Sequence, residues 1–476
     1  TLPPILLAAL ADTDPRVRAA AAALLGRVRA EGARATLLAR LETDPDERVR
    51  EGAILGLLHL RDPSLAPELR RRAEDAAENP RVRGYAVLAL GFVGEGDFAR
   101  TRFLDEPTEA DRRVPAVLRD LQACAVRGLA LAPHEGDAQY LALLLSDRRR
   151  PPEVRGHAGP ALLRVRAAAA LPVLRSVLAE RDGEESADTA RVGACVAWPG
   201  CAALDDRAAL HSAQAVLKEV DGRFGGVRSA LADALGSMRG PSEARLLVEE
   251  YERCRGDTRR PAERGWFLLA IARAGTSEAR AYLLEEMKRL DHERDLAACA
   301  LALAIAGEAR GVALIRERLA AAKREFVPWG ILALGILDDR GGPALIREIV
   351  ERRREGEVIG QAAVALSLIL GQKALPDLLE LRIRCRDNAE RDRVADAFRI
   401  AAGPKTVDAL VALARDPAVS GDDRAFVLLA LARIADADEP PLLDLFRREH
   451  NPYAGAPTLD GLARHGEFEP IRRLER

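Results

Sequence analysis

An all-α fold, an α-solenoid of about fourteen two-helix repeats, is predicted by three observations. A segment of the form V-R-x-x-A-x-x-A-L-G recurs with a mean spacing of about 34 residues, inside the range of solenoid arrays. No stretch alternates apolar and polar residues with period two, so no sheet is expected. The apolar mass is Ala and Leu, strong helix formers, while aromatics make up only 4 % of the chain, few for conventional large cores.

The recurrence is plainest in PRVRAAAAALLG (15–26), PRVRGYAVLALG (80–91) and GVRSALADALG (226–236). Taking the Val position as an anchor, the copies fall at Val17, Val49, Val82, Leu121, Val154, Val192, Val227, Glu263, Asp295, Phe326, Val358, Val394, Asp423 and Ala454. Several keep only the downstream half, as in GWFLLAIARAG (265–275) and AACALALAIAG (297–307).

Each helix of the repeat has a local cause. Asp14-Pro15, Asn79-Pro80 and Asn451-Pro452 place an N-capping side chain before a proline suited to the first helical turn. The anchor, the Ala four residues on, and the Ala-Leu at seven and eight share one face of a 3.6-residue helix. Small Ala on that face lets a neighbouring helix approach closely. Gly91, Gly94 and Gly96 are expected to punctuate the helix end, as are Gly275, Gly307, Gly371 and Gly403 elsewhere. A second, leucine-rich helix recurs between anchors: ARAYLLEEMKRL (279–290), GVALIRERLAAA (311–322), GPALIREIVERRR (342–354) and TVDALVALARD (406–416).

The order of a leucine-rich helix, a D-P turn and a V-R-x-x-A-x-x-A-L-G helix resembles HEAT repeats, in the short bacterial form found in phycobilisome-lyase-like proteins. The resemblance spans essentially residues 1–476 as a single array, strongest over 2–94 and 227–403 and weaker over 95–200. It implies a superhelix in which the helix beginning at V-R lines the concave side. Irregular repeats or longer loops are expected around 95–115, 181–190 and 198–205, the last because Pro199-Gly200 interrupts WPGC.

Composition bounds the function. The 72 basic and 74 acidic residues give a net charge of −2, unlike a globally basic nucleic-acid binder. Of the 72, 67 are Arg and five are Lys. No uninterrupted apolar run reaches the roughly 18 residues of a membrane span. TLPPILLAAL has neither an initiator Met nor a basic n-region and is no signal peptide as it stands. The compartment stays open: cytoplasmic, or exported if a leader preceded Thr1.

Two sets of residues are candidate contacts for a partner on the concave face. Arg follows the anchor in seven of the fourteen repeats, at Arg18, Arg50, Arg83, Arg155, Arg228, Arg264 and Arg424. From Asp295 to Val394 the position turns apolar or small (Leu296, Val327, Ile359, Ala395), so the inner face is expected to be basic early and apolar late. Stacked Arg residues could take phosphates or acidic peptides. With near-zero net charge, pairing with acids and carbonyls of the adjacent turn weighs more. Aromatics fall three residues past the anchor at Tyr85, Trp266, Trp329 and Phe426, at the edge of the buried face. They are read as packing between repeats, with anchoring of a partner as the sharper alternative.

Catalytic and metal motifs are weak. HEAT-type deoxyhypusine hydroxylases carry four His-Glu dipeptides as di-iron ligands. Here only His134-Glu135 and His292-Glu293 occur, in different registers, which builds no two-metal cage. Cys195 and Cys201, six apart, make no metal site alone. Neither a G-x-S-x-G elbow nor a P-loop lysine motif is present. The expected function is therefore a non-catalytic scaffold holding a protein or peptide on its concave face, with no cofactor or metal. The alternatives are nucleic-acid backbone binding through the Arg stripe, which the near-zero net charge weighs against, or a lyase- or hydroxylase-like HEAT enzyme.

Overall fold

Two of the expected caps, Asp14 and Asn79, form as the chain chemistry requires, and Asp46 forms a third. Asp14, Asp46 and Asn79 each accept a hydrogen bond from the backbone N–H two residues on, at 2.9, 2.9 and 2.8 Å. They open the helices Pro15–Arg27, Glu47–Leu60 and Pro80–Phe92. The structure, a computed structural model, describes residues 2–105, 116–131, 136–165, 168–180, 190–195, 197–198, 225–256, 261–321, 324–353, 356–386 and 388–435. Among these the secondary structure is helical, with no strand. The anchor at Ala454, the Asn451-Pro452 cap, the 181–189 insertion and residues 199–205 lie outside them.

The second helices also form, at Ser277–Arg289, Gly311–Ala321, Gly342–Arg352 and Pro404–Arg415. Each repeat is thus an outer helix packed on the inner helix that follows, as Ala33–Thr43 packs on Glu47–Leu60 and Pro241–Cys254 on Pro261–Ala274. Within each compact unit inner helices then pack on inner helices of adjacent repeats, as Pro15–Arg27 does on Glu47–Leu60. The described chain separates into two compact units. One is built from segments 2–105, 116–131 and 343–435, the other from segments between 136 and 342.

In the first unit the inner helices Pro15–Arg27, Glu47–Leu60, Pro80–Phe92 and Ala116–Leu131 form one row, and Gly356–Leu370, Asn388–Ile400 and Gly421–Ala435 another. The rows join, because Gly421–Ala435 packs on Pro15–Arg27 and Pro404–Arg415 touches Leu2–Ala9. In the second unit Gly225–Met238, Pro261–Ala274, Glu293–Ile305 and Val327–Ile336 pack in sequence.

One expectation is corrected. The glycine ending the motif does not stop the helix. Gly26 and Gly91 lie inside their helices, where an added Cβ would meet the carbonyl oxygens of Gly56 at 1.9 Å and Gly128 at 2.3 Å. These glycines exist so that two helix backbones can touch. Punctuation falls later, as at Gly94, whose φ of +84° is open to glycine and strained for other residues. Gly96 begins the next short helix, and Gly403 precedes one in extended backbone. An irregular repeat or a longer loop is the expectation around 95–115. Residues 96–105 are helical, as Gly96–Ala99 and a π-helical turn Arg100–Asp105, because Ala99, Phe103 and Leu104 are apolar enough to be buried. Residues 106–115 lie outside the described segments.

Close approach leaves some inner helices enclosed on every side. Residues 84–91, 295–304, 327–335 and 358–367 are buried throughout, as all-round apolar helices must be. Along those stretches no side is open to solvent. Among the described residues one stretch, Glu357–Arg384, is long and apolar enough to cross a membrane by length and composition. Gly371, with φ +56°, and the turn Gly371–Ala374 break it into the helices Gly356–Leu370 and Leu375–Arg384, which pack on one another.

Candidate functional site

The Arg following the anchor is the most repeated polar feature, and its geometry recurs. The Arg18 guanidinium donates to both carboxylate oxygens of Asp44, at 3.1 and 3.0 Å, and to the carbonyls of Asp12 and Thr13. Arg50 donates to the carbonyls of Asp44 and Pro45 and pairs with Glu78 at 3.5 Å. Arg83 donates to the Ala73 carbonyl at 3.2 Å. Arg155 donates to the Leu145 carbonyl at 2.9 Å and to both Glu180 oxygens at 3.0 Å. Each thus ties its own turn or outer helix, and in most repeats also an acid of the next repeat.

This series extends through the degenerate anchors. Arg228 pairs with Glu263 at 3.2 Å and Arg264 with Asp295 at 2.9 Å. Glu263 and Asp295 occupy the position that is Val in other repeats. They therefore replace an apolar anchor with the acid that the preceding Arg requires. Where the Arg is lost, at Leu296, the next anchor is Phe326, and both are buried apolar residues. Val327, Ile359 and Ala395 are buried as well. Sequence reading missed this coupling because it compares residues one repeat apart. The signal was present as the joint change of Arg and following anchor.

The aromatic candidates separate. Tyr85, Trp329 and Phe426 are buried, and Phe426 packs against Phe398 with ring centroids 6.4 Å apart. Trp266 is half-buried on the inner helix Pro261–Ala274. Phe267 beside it is fully buried, with the Arg228 guanidinium 5.7 Å from its ring centre.

A denser buried polar group lies on the outer helices Pro241–Cys254 and Ser277–Arg289. The fully buried Glu286 accepts from the Tyr251 hydroxyl at 2.9 Å and pairs with Arg255 at 3.1 Å. Burial and then the Glu286 carboxylate raise Tyr251, keeping its hydroxyl protonated and donating. Burial also pushes the Cys195 and Cys254 thiols up to about 12, far from nucleophilic chemistry near neutral pH. His292 precedes the helix Glu293–Ile305, and Glu293 accepts from the backbone N–H of Glu325 at 2.9 Å, a structural use. His134-Glu135 and Cys201 lie outside the described residues. Among the described residues, no group of three or more His, Cys, Asp or Glu is placed to hold a metal ion.

The Arg–acid ties make stability depend on acid. Burial opposes ionisation of Asp44, but the Arg18 guanidinium and the Asp46 N–H outweigh it, holding the carboxyl below its ordinary 3.8. A carboxylate depressed on folding contributes stability above its unfolded value, and loses it as the pH falls through the folded one. Asp44→Asn is therefore expected to lower the thermal midpoint at neutral pH, with the gap to wild type narrowing only as the pH falls below the ordinary 3.8. A gap independent of pH would show that the charge of Asp44 contributes nothing.

Stacked two-helix repeats, Arg–acid ties between neighbours and glycine-lined helix crossings define a helical repeat array. The family described as HEAT repeats matches residues 3–91 and 36–113, and the helical pairs continue the same architecture beyond them. Residues 3–113 carry HEAT repeats. No curated protein matches it.

Proposed function

We propose that the protein is a non-catalytic scaffold that binds a protein or peptide on its concave face, at the inner helix Pro261–Ala274. HEAT repeats support the scaffold. The observation that carries the finer reading is Trp266. Of the four aromatics at this register it alone is half-buried, leaving part of a large amphipathic ring to meet a partner. Nucleic-acid binding through the Arg series is disfavoured because Arg18, Arg50, Arg155 and Arg264 are already engaged with carboxylates of neighbouring repeats. Such an Arg would have to leave its acid before it could bind a phosphate.

Trp266→Ala and Trp329→Ala separate binding from packing. The tagged protein should capture a partner from extract of the native host, and Trp266→Ala should lose that partner with helical circular dichroism unchanged. Trp329→Ala should instead unfold at lower temperature, because it empties a buried site at a cost of about 3–5 kcal/mol. Loss of helical signal in Trp266→Ala, or an unchanged set of captured proteins, would refute the reading.

A further inference from the structure

The junction between repeats 2–27 and 404–435 joins parts of the chain some four hundred residues apart, yet it is built like a junction between consecutive repeats. Inner helix Gly421–Ala435 packs on inner helix Pro15–Arg27, and outer helix Pro404–Arg415 meets outer helix Leu2–Ala9. Arg424, the residue after its anchor, donates to both oxygens of Asp12, at 2.6 and 3.3 Å. Arg18 treats Asp44 of the next repeat in the same way. Asp12 and Asp44 each lie five residues before an anchor Val, so repeat 2–27 serves repeat 404–435 as its successor. Arg16 adds an ion pair with Asp422, and Gly421 lies beneath Asp14, where an added Cβ would fall 1.9 Å from the carboxylate.

The difference from the internal junctions is in the connection, since Arg424 and Asp12 are 412 residues apart. Arg424 and Asp12 are 20 % and 11 % exposed, much as Arg50 and Glu78 are at an internal junction (24 % and 5 %), and Arg16–Asp422 is an exposed pair as Arg294–Glu325 is between consecutive repeats. Exposed pairs are screened by salt and buried ones much less. No short connection holds the two repeats together, whereas consecutive repeats share one.

We propose that this junction is a releasable clasp. Repeats 2–27 and 404–435 separate before the neighbouring repeats unfold, uncovering the faces of Pro15–Arg27 and Gly421–Ala435 that pack on one another. The proposal is independent of the partner reading at Trp266.

Amide hydrogen exchange of the full chain tests it. Arg424→Asp should quicken exchange about tenfold in Pro15–Arg27 and Gly421–Ala435, leaving Glu47–Leu60 and Pro80–Phe92 at their original rates. Adding Asp12→Arg, which restores the pair with its charges exchanged, should return the slow rates. In the wild-type chain, added salt should quicken the same two helices selectively. The clasp is overturned by equal quickening in all four helices, by no change, or by failure of the double variant to restore slow exchange. Should Arg424→Asp fail to fold, the salt series on the wild-type chain decides by the same criterion.

Discussion

Gly91→Ala is expected to destabilise the protein by about 3 kcal/mol, whereas Gly128→Ala should cost less than about 1 kcal/mol. The two glycines face each other where helix Pro80–Phe92 crosses Ala116–Leu131. They are not equivalent. A Cβ on Gly91 would fall 2.3 Å from the Gly128 carbonyl oxygen, and backbone cannot swing aside as a flexible side chain can. A Cβ on Gly128 would fall 3.5 Å from Gly91 Cα, an ordinary contact. At that position the gain in helix propensity from Gly to Ala, about 1 kcal/mol, offsets part of any repacking cost. Urea unfolding followed by circular dichroism gives the comparison, and equal midpoints for the two variants would contradict the close crossing. Gly26→Ala should behave like Gly91→Ala, since its Cβ would fall 1.9 Å from the Gly56 carbonyl oxygen.

Arg155→Ala is expected to cost about 3–5 kcal/mol, the range for removing one member of a buried pair. Both Arg155 and Glu180 are buried, and Arg155 meets both Glu180 oxygens at 3.0 Å. Truncation removes the principal cation from Glu180 and a donor from the Leu145 carbonyl. Arg148, 3.7 Å from Glu180, is largely exposed and replaces little of that contact. Replacing both members, as Arg155→Leu with Glu180→Leu, should recover much of the loss, because the cost comes mainly from a charge left buried. Denaturant unfolding of the two single variants and the double variant forms a mutant cycle. A single-variant loss within about 0.5 kcal/mol of zero would show that the pair contributes nothing to the array.

Much of the fold was legible because its causes are local. An Asp or Asn before the first turn, apolar residues at helical spacing and a leucine-rich partner helix each act within a dozen residues. Repetition then multiplies a weak signal until the period is unmistakable. The motif glycine was legible as a position but not as a role. A glycine at a helix end and a glycine at a helix crossing look alike in one dimension. Only the carbonyl of Gly56 or Gly128, brought in by another repeat, separates them.

The polar positions follow the same division. An Arg after each anchor could be counted in the sequence, and neutral composition favoured pairing. Which acid each would take depended on stacking, because Asp44 lies 26 residues from Arg18 and Asp295 lies 31 from Arg264. At Arg424 the acid is Asp12, 412 residues away. The burial of Tyr85, Trp329 and Phe426, and the partial exposure of Trp266, were likewise set by how closely neighbouring helices approach. The sequence by itself determined the repeat, its two helices and their caps, since those depend on short-range hydrogen bonding and helical periodicity. The tertiary structure alone decided which repeats touch and which charges meet, because these depend on the small displacement and rotation of each repeat on the next, summed along the chain.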